Sequence, residues 1–430
     1  MAQTRQVFAG LSDGRKGKNT SYSMEDFATC ALSVFFTQSP SFLAHQQALQ
    51  QSQGRNNAQS LFQIEQIPCD NQIRDGLDSV APEEIFPLFD AALQSLQDTG
   101  VLEAYRGIGQ TIPIALDGTW YHSSEKIHCP NCSCLEHAHG QKTHYHSAIT
   151  PVIVAPGQAR AISLRPEFIV PQDGHEKQDC ETAAAKRWLE KNSPRYSSLK
   201  ATLLGDDLYS RQPMCRQAML HGFHFLFVCK PESHSTLYKW VHLLEPGIGL
   251  REVKLRVKNS KGHWENHLYR YANQVPLVEG EDALKVNWCD VTITNSNGKV
   301  LYHNSFVTDW KITDENVPLL AATGRARWKV ENENNNVLKN RGYHLEHNFG
   351  HGKKHLSSVL AALNLLAFLY HVVLDFCDEK YRLIRQTLVR RQTFFEHVRA
   401  LTCYFCFADW EALMDFMMRG LELGPHRSKT

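Results

Sequence analysis

Apolar positions along the chain change their period twice. After a Gly/Lys-rich lead, Ser23-Met-Glu-Asp26 has capping-box spacing and opens an apolar stripe at helical period, Phe27, Ala31, Leu32, Phe35 and Phe36. Short helical runs, punctuated by Pro40, the polar stretch 50–59, Pro68 and Pro82, continue to about residue 105; the last covers 83–97. From Thr111 the pattern turns strand-like, and TIPIALDGTWYH, HYHSAITPVIVAP and RAISLRPEFIV predict three consecutive antiparallel strands. A helix over 179–191, a strand at ATLLGDD, a helix over 211–221 and a strand at FHFLFVCK complete the order βββαβαβ. Alternation over 235–310, with Asn297-Gly298 as a hairpin turn, predicts further strands, and helical period returns from about Glu315 to Arg419.

The order βββαβαβ is the one an RNase H-like α/β core requires, three meandering strands followed by strands joined through helices by right-handed crossovers. The expected layout is a helical region 1–105, a first core part 106–234 with a Cys/His-rich hairpin, and a β-rich insertion 235–310. A second core part 311–375 and a C-terminal helical region 376–430 follow, with a loose tail at 424–430.

Composition narrows the function classes. With 430 residues and 42% apolar content the chain can bury a sizeable core. Lys plus Arg number 46 against 45 Asp plus Glu, so any DNA-binding surface must be local. Twelve cysteines behind a polar start predict reduced thiols in the cytoplasm, with no secretory leader. The apolar stretch 358–374 is short for a membrane span and carries Asn364 and His371, which predicts a buried core helix and no membrane partner.

Three segments offer carboxylates where the fold would bring them together. Asp117 follows the apolar run 112–116, and an ionised Asp ending a buried strand needs a compensating charge; alone, Asp117-Gly118 also reads as a turn. Asp206 and Asp207 end ATLLGDD, at the sheet edge that usually carries ligands, although either also suits a helix N-cap. Glu331 shares a predicted helix with Arg325, Arg327, Lys329 and Lys339, which alone fits a solvated charged face. Three oxygen-donor acids suit a hard cation, and two Mg²⁺ (or Mn²⁺) ions can clamp the attacking and leaving oxygens of a phosphoryl displacement.

These residues resemble the bacterial insertion-sequence DDE transposases, whose RNase H core carries a β-strand insertion and a Y-x2-R-x3-E-x6-K signature. Arg327 and Glu331 match it, with Trp328 in the R-W-x-V-E setting; Gly324 stands where Tyr is expected, and Leu338 where Lys is, with Lys339 one place later. Asp206-Asp207-Leu208-Tyr209 resembles the family's D-x-G-Y if Asp206 is the ligand and Leu208 replaces Gly; Asp207 stays an alternative. The resemblance implies a catalytic and metal-binding triad of Asp117, Asp206 and Glu331. Cleavage at transposon ends would be followed by attack of the freed 3′-hydroxyl on target DNA. Arg325, Arg327, Lys339 and Tyr209 would lie against DNA, and a homodimer would form on paired ends. The N-terminal helices would read the terminal inverted repeats, with Arg15, Lys16, Lys18 and Arg55 near phosphates. The two signature departures also admit an inactive end-binding or repressor relative, and a nuclease of the same fold shares the site.

Other clusters carry chemistry of their own. IHCPNCSCLEHAHGQKTHYH has zinc-like C-x2-C spacing with histidines, so Cys129, Cys132, Cys134, His137 and His139, with His144 and His146 close by, are candidates for a structural Zn²⁺ pinning the hairpin after the first strand. Alternatively, His144 and His146 are strand residues on one face. Trp264, Trp288 and Trp310 are candidates either for packing or for stacking a flipped base. Arg382, Arg385, Arg390, Arg391 and Arg399 suit DNA, a second subunit or a solvated helix face equally.

Overall fold

A computed structural model of the chain describes residues 2–16, 21–171 and 179–423; Lys18 and the 424–430 tail lie outside the described residues. The N-terminal region is helical, with α1 (Ala2–Ala9), α2 (Met24–Phe36), α3 (Phe42–Gln50), α4 (Ser52–Phe62), α5 (Asp70–Leu77) and α6 (Pro87–Asp98). The Asp26 N–H donates to the Ser23 hydroxyl at 3.0 Å and the Ser23 N–H donates to the Asp26 carboxylate at 2.8 Å, so the capping box forms at the start of α2. Its stripe of Phe27, Ala31, Leu32 and Phe35 is buried.

Each of the three strand-like runs is broken in two, which the period alone did not predict. Their first or last halves form β1 (Ile112–Ala115), β5 (Val152–Ile153) and β6 (Ile162–Ser163) of a large sheet. The complementary halves form β2 (Gly118–Ser124), β4 (Lys142–Ile149) and β7 (Glu167–Ile169) of a small one, where β3 (Ser133–Glu136) also pairs with β4. The breaks fall at Asp117-Gly118, Thr150-Pro151 and Arg165-Pro166. A proline cannot donate to a ladder, and an Asp-Gly step favours a turn.

Among the described residues the large sheet has nine strands. Helix α7 (Glu181–Tyr196) leads to β8 (Ala201–Gly205), and α8 (Gln212–Leu220) to β9 (His224–Val228). Residues 235–243, expected in the β-rich region, instead form α9 (Ser235–Leu243), whose Leu237 and Val241 are buried one helical turn apart. Then come β10 (Arg251–Lys258), β11 (Trp264–Pro276), β12 (Lys285–Asn295) and β13 (Val300–Thr308), in the order β10-β11-β12-β13-β9-β8-β1-β5-β6. Strand β1 runs parallel to β8, and β8 to β9, whereas β5 and β6 are antiparallel. Because β13 pairs antiparallel with β9 through Phe306 and Val228, the meander extends this sheet instead of building another layer.

Helix α10 (Val317–Arg325) is followed by a π-helical turn, Val330–Asn335, and by α11 (Asn336–Asn340). The long α12 (Leu356–Cys377), α13 (Glu379–Thr387), α14 (Arg391–Tyr404) and α15 (Trp410–Gly420) complete a mixed α/β protein. Helix α12 is long and apolar enough to cross a membrane, yet 72% of its most apolar window is buried within the protein, against α2, α6, α13 and β6. One apolar core joins the N-terminal helices, α12 and the C-terminal helices, from Phe8 through Leu366 to Met417. Each large side chain buried there contributes roughly 1.5–3 kcal/mol relative to exposure. Two of the C-terminal arginines are consumed in this packing: Arg391 donates to the Tyr343 hydroxyl at 2.8 Å, and Arg399 to the carbonyls of Thr37 and Gln38 at 2.7 Å.

Candidate functional site

Strand β1 delivers Asp117 to the point where its chain leaves the large sheet. Backbone bonds fix it on both sides: the Leu116 N–H donates to the Leu204 carbonyl at 2.8 Å, and the Thr150 N–H to the Asp117 carbonyl at 2.9 Å. Burial pushes its carboxyl up to about 7; Glu181, Glu331 and Asp206 push the same way, while Arg327 opposes them. A carboxyl so placed has too little positive charge around it to ionise freely.

The segment carrying Glu331 is less regular than its period predicts. The helix interrupts at Ala326-Arg327 and then passes into the π turn, a feature that often accompanies functional sites. Glu331 is exposed and accepts a bond from Arg327 Nη2 at 3.0 Å, while Arg327 Nη1 lies 3.9 Å from Asp117 Oδ1. Arg327 thus stands between two of the three expected acids. The π turn aims Asn335 at Asp117, its amide donating to Oδ2 at 3.2 Å, while its Oδ1 accepts from Thr150 at 2.9 Å and from the Asn334 amide at 2.9 Å. Ser163 on β6 holds Asn334 in turn, at 2.8 Å. The asparagine run 334–336 beside the buried Val330 and Leu338 was the available signal for the buried amides of Asn334 and Asn335.

At the neighbouring β8, Asp206 and Asp207 part company. Asp207 Oδ1 accepts from the Lys230 N–H at 2.7 Å and the Ser233 hydroxyl at 2.6 Å, which ties it to the loop after β9. Among the described residues, the Asp206 side chain accepts from the local Leu208 N–H at 2.9 Å, and it acts on Asp117 through its charge. Glu181, at the first turn of α7, was not anticipated: it accepts from the Tyr209 hydroxyl at 2.8 Å and from the Gly118 N–H at 3.2 Å. Its carboxyl is raised, chiefly by burial and also by Asp206.

Of the expected DNA contacts, one requires correction. Tyr209 is fully buried with its hydroxyl committed to Glu181, so it positions the acids and cannot touch a duplex. Lys339 is paired with Glu346 at 2.8 Å. Lys329 is buried, its ammonium donating to the carbonyls of Ala155 and Gln158, and burial holds it below the usual lysine range. Arg325 is exposed, its guanidinium 4.7 Å from the Tyr302 ring centroid. Near the N-terminus Arg15 pairs with Asp13, while Lys16 and Arg55 are exposed. Trp288 is buried in packing, Trp310 stacks on His224 at 3.8 Å, and Trp264 remains exposed beneath Arg256.

The two signature departures have packing causes. A Cβ on Gly324 would lie 2.6 Å from Phe306 Cε1, so the helix has no room for a tyrosine there. Leu338 is fully buried, where a lysine would carry an unpaired charge into the core.

The Cys/His-rich stretch also assembles differently from expectation. Cys129 and Cys132 meet His146 of β4 and His351 of the loop before α12, with all four ligand atoms within 4.8 Å of one another. Cys134 lies on β3 opposite His144, His137 donates to or accepts from Thr143 at 2.8 Å, and His139 is exposed in the hairpin tip, so these three are held apart from the cluster. Among the described residues, no set of three carboxylates that includes Asp117, Asp206 and Glu331 is as close as this.

Compared with family models and with curated proteins, the chain matches none.

Proposed function

We propose that the chain is a DDE transposase built on an RNase H-like core, a metal-dependent enzyme that cuts DNA at the ends of an insertion element and joins the freed ends to target DNA. The observation that carries the reading is the setting of Asp117. It ends the central strand of a βββαβαβ array, with two antiparallel strands on one flank, two parallel strands on the other, and Asp206 ending the adjacent parallel strand at the same edge. In α/β sheets that edge is where ligands collect. Glu331 reaches the same neighbourhood from the helical segment, close enough to raise the Asp117 carboxyl.

The donor set fits a hard divalent cation. Asp117, Asp206 and Glu331 offer only oxygen, and Asp117 sits half-buried among like charges with Arg327 as its cationic neighbour. Asp117, Asp206 and Glu331 would hold Mg²⁺, which when bound would supply charge neutralisation at a reacting phosphate. Glu181 and Asn335 orient Asp117 by fixing Gly118 beside it and one of its oxygens. Arg325 and Arg327 offer guanidinium forks to phosphate oxygens. Hydrolysis forms a bond from water oxygen to phosphorus and breaks the bond to the 3′-oxygen. Transfer then joins that 3′-hydroxyl to a target phosphorus and releases a target 3′-hydroxyl. Double-stranded DNA and a second copy of the chain on paired ends are the proposed partners.

The test is cleavage and strand transfer with Mg²⁺ on duplexes bearing the element's own terminal repeats. Wild type should do both, and Asp206→Ala and Glu331→Ala should bind the ends and do neither. Cleavage without joining would favour a nuclease of this fold, and end binding without cleavage an inactive relative, the reading to which the interposed Arg327 lends support. Activity surviving in Glu331→Ala would remove that residue from the triad.

Glu181→Gln provides a second check. Removing this charge should lower the Asp117 pKa, because Glu181 raises it, so the acid limb of the cleavage profile should move to lower pH. A limb that stays put, or moves up, would show that Glu181 does not act through Asp117.

A further inference from the structure

Separate from the acids, four side chains converge with the geometry of a tetrahedral metal site. The Cys129 and Cys132 sulfurs are 3.7 Å apart, and each lies 3.3 Å from His146 Nε2. His351 Nδ1 is 3.3 Å from His146 Nε2 and 4.0 Å from the Cys132 sulfur. Zinc bonds of ordinary length arranged tetrahedrally would set S···S, S···N and N···N edges at about 3.8, 3.6 and 3.3 Å. The observed spacings follow that pattern. A disulfide would need the sulfurs at about 2.05 Å. We infer that Cys129, Cys132, His146 and His351 bind one structural Zn²⁺, which clamps the hairpin of the small sheet to the loop leading into α12.

The surroundings are built for that role. The Cys129 N–H points at the Cys132 sulfur at 3.3 Å, and the Cys132 N–H closes the turn on the Cys129 carbonyl at 3.1 Å, so the C-x2-C backbone already holds both sulfurs on one side. Tyr121 stacks on the His146 ring, with centroids 5.5 Å apart and planes 15° from parallel. His351 is delivered by a tight turn: Gly352 has φ +66°, and a Cβ there would lie 2.1 Å from Asp78 Oδ1, so only glycine follows His351. With two thiolates and two imidazoles occupying the four positions, the site is closed, as structural zinc sites are, and leaves no vacancy for a reacting water.

The need for a clamp is visible in the packing. The β3–β4 hairpin and the segment before it expose Ile127 and Leu135 and bury little apolar surface, and the 341–355 loop lacks regular structure. Besides the four ligands, Asn131 donates to the Lys354 carbonyl across the same gap. The loop is itself anchored, since Tyr343, Leu345 and Phe349 are buried in the core, so a metal linking residues 205 positions apart, His146 and His351, would tie the poorly buried hairpin to it.

Full-length protein purified from zinc-supplemented cells without chelators should carry one zinc per chain. Replacement with Co²⁺ should give the intense visible bands of a tetrahedral cobalt thiolate, and X-ray absorption should show two sulfur and two nitrogen neighbours. Those measurements on the wild-type chain keep the inference testable if a ligand variant fails to fold. Cys132→Ser and His351→Ala should lose the metal, whereas Cys134→Ser, His137→Ala and His139→Ala should keep it. Absence of zinc and of the cobalt spectrum would overturn the assignment, as would a Cys129–Cys132 disulfide in the purified protein. Metal retained in a folded His351→Ala, or lost from a folded Cys134→Ser, would move the site into the hairpin and overturn the clamp. None of these readouts depends on DNA cleavage.

Discussion

Asp117→Asn is expected to make the chain more stable and to abolish its proposed chemistry at once. The Asp117 carboxyl lies at about 7 in the folded protein against 3.8 for an ordinary aspartate. A raised pKa means that the folded state prefers the protonated form, so the associated stability is fully present below about pH 4 and is lost as pH rises through about 7. The difference of about three pKa units corresponds to roughly 4 kcal/mol at most, and partial solvent screening at this 18% exposed side chain reduces it to about 2–3 kcal/mol. Asparagine at 117 carries no charge, and its carbonyl can still accept from Asn335. Without added Mg²⁺, thermal unfolding should therefore separate the two proteins near pH 8, with the variant higher, and bring them together near pH 4. DNA cleavage by the variant should fall by about a hundred- to a thousandfold, the order lost when a central charge-stabilising group is removed. A variant that unfolds at lower temperature near pH 8 would contradict the account of Asp117 as a strained, charge-crowded residue.

Asp78→Ala should cost about 2 kcal/mol of stability without touching any acid of the site. Helix α12 has no side-chain cap of its own, since His355 at its N-cap makes no such bond. Asp78, from the end of α5, takes over that role across 275 residues. Its carboxylate accepts from the N–H groups of Lys353 and Lys354 at 2.9–3.0 Å and from Leu356 at 3.1 Å, while its carbonyl accepts from His355 at 3.2 Å. A negative charge here also faces the positive end of a 22-residue helix. Urea unfolding should show a lowered midpoint with an unchanged slope for the alanine variant, and asparagine should recover part of the loss through its remaining oxygen. An alanine variant within a few tenths of a kcal/mol of wild type would mean that water replaces the cap.

The parts legible in the sequence were those governed by local spacing. The capping box at Ser23, the helical stripe behind it, the turn at Gly298 between β12 and β13, and the burial of α12 all follow from residues a few positions apart. So did the placement of Asp117 and Asp206 at the ends of neighbouring strands. What escaped depends on distant partners. His351 joins Cys129 only through the fold, and no periodicity marks it. The resemblance placed Tyr209 against DNA, and its burial beside α7 is invisible from its neighbours in sequence. Glu181 lies at an ordinary helix start, and only the approach of Gly118 gives it a role. The β1–β2, β4–β5 and β6–β7 bends were hidden because alternation continues across a break when both halves are strands.

Those three bends also set where the chain can change length. A residue inserted within β1 or β2 would slip one sheet's register and turn that strand's side chains to the wrong face, so the 112–124 stretch has almost no position free of a ladder. Two more stretches, 142–153 and 162–169, likewise run from one sheet into the other. The β3–β4 hairpin tip around Gly140 faces solvent and belongs to neither ladder. Length variation among descendants of this gene should therefore gather at that tip and be purged from the segments that cross between sheets.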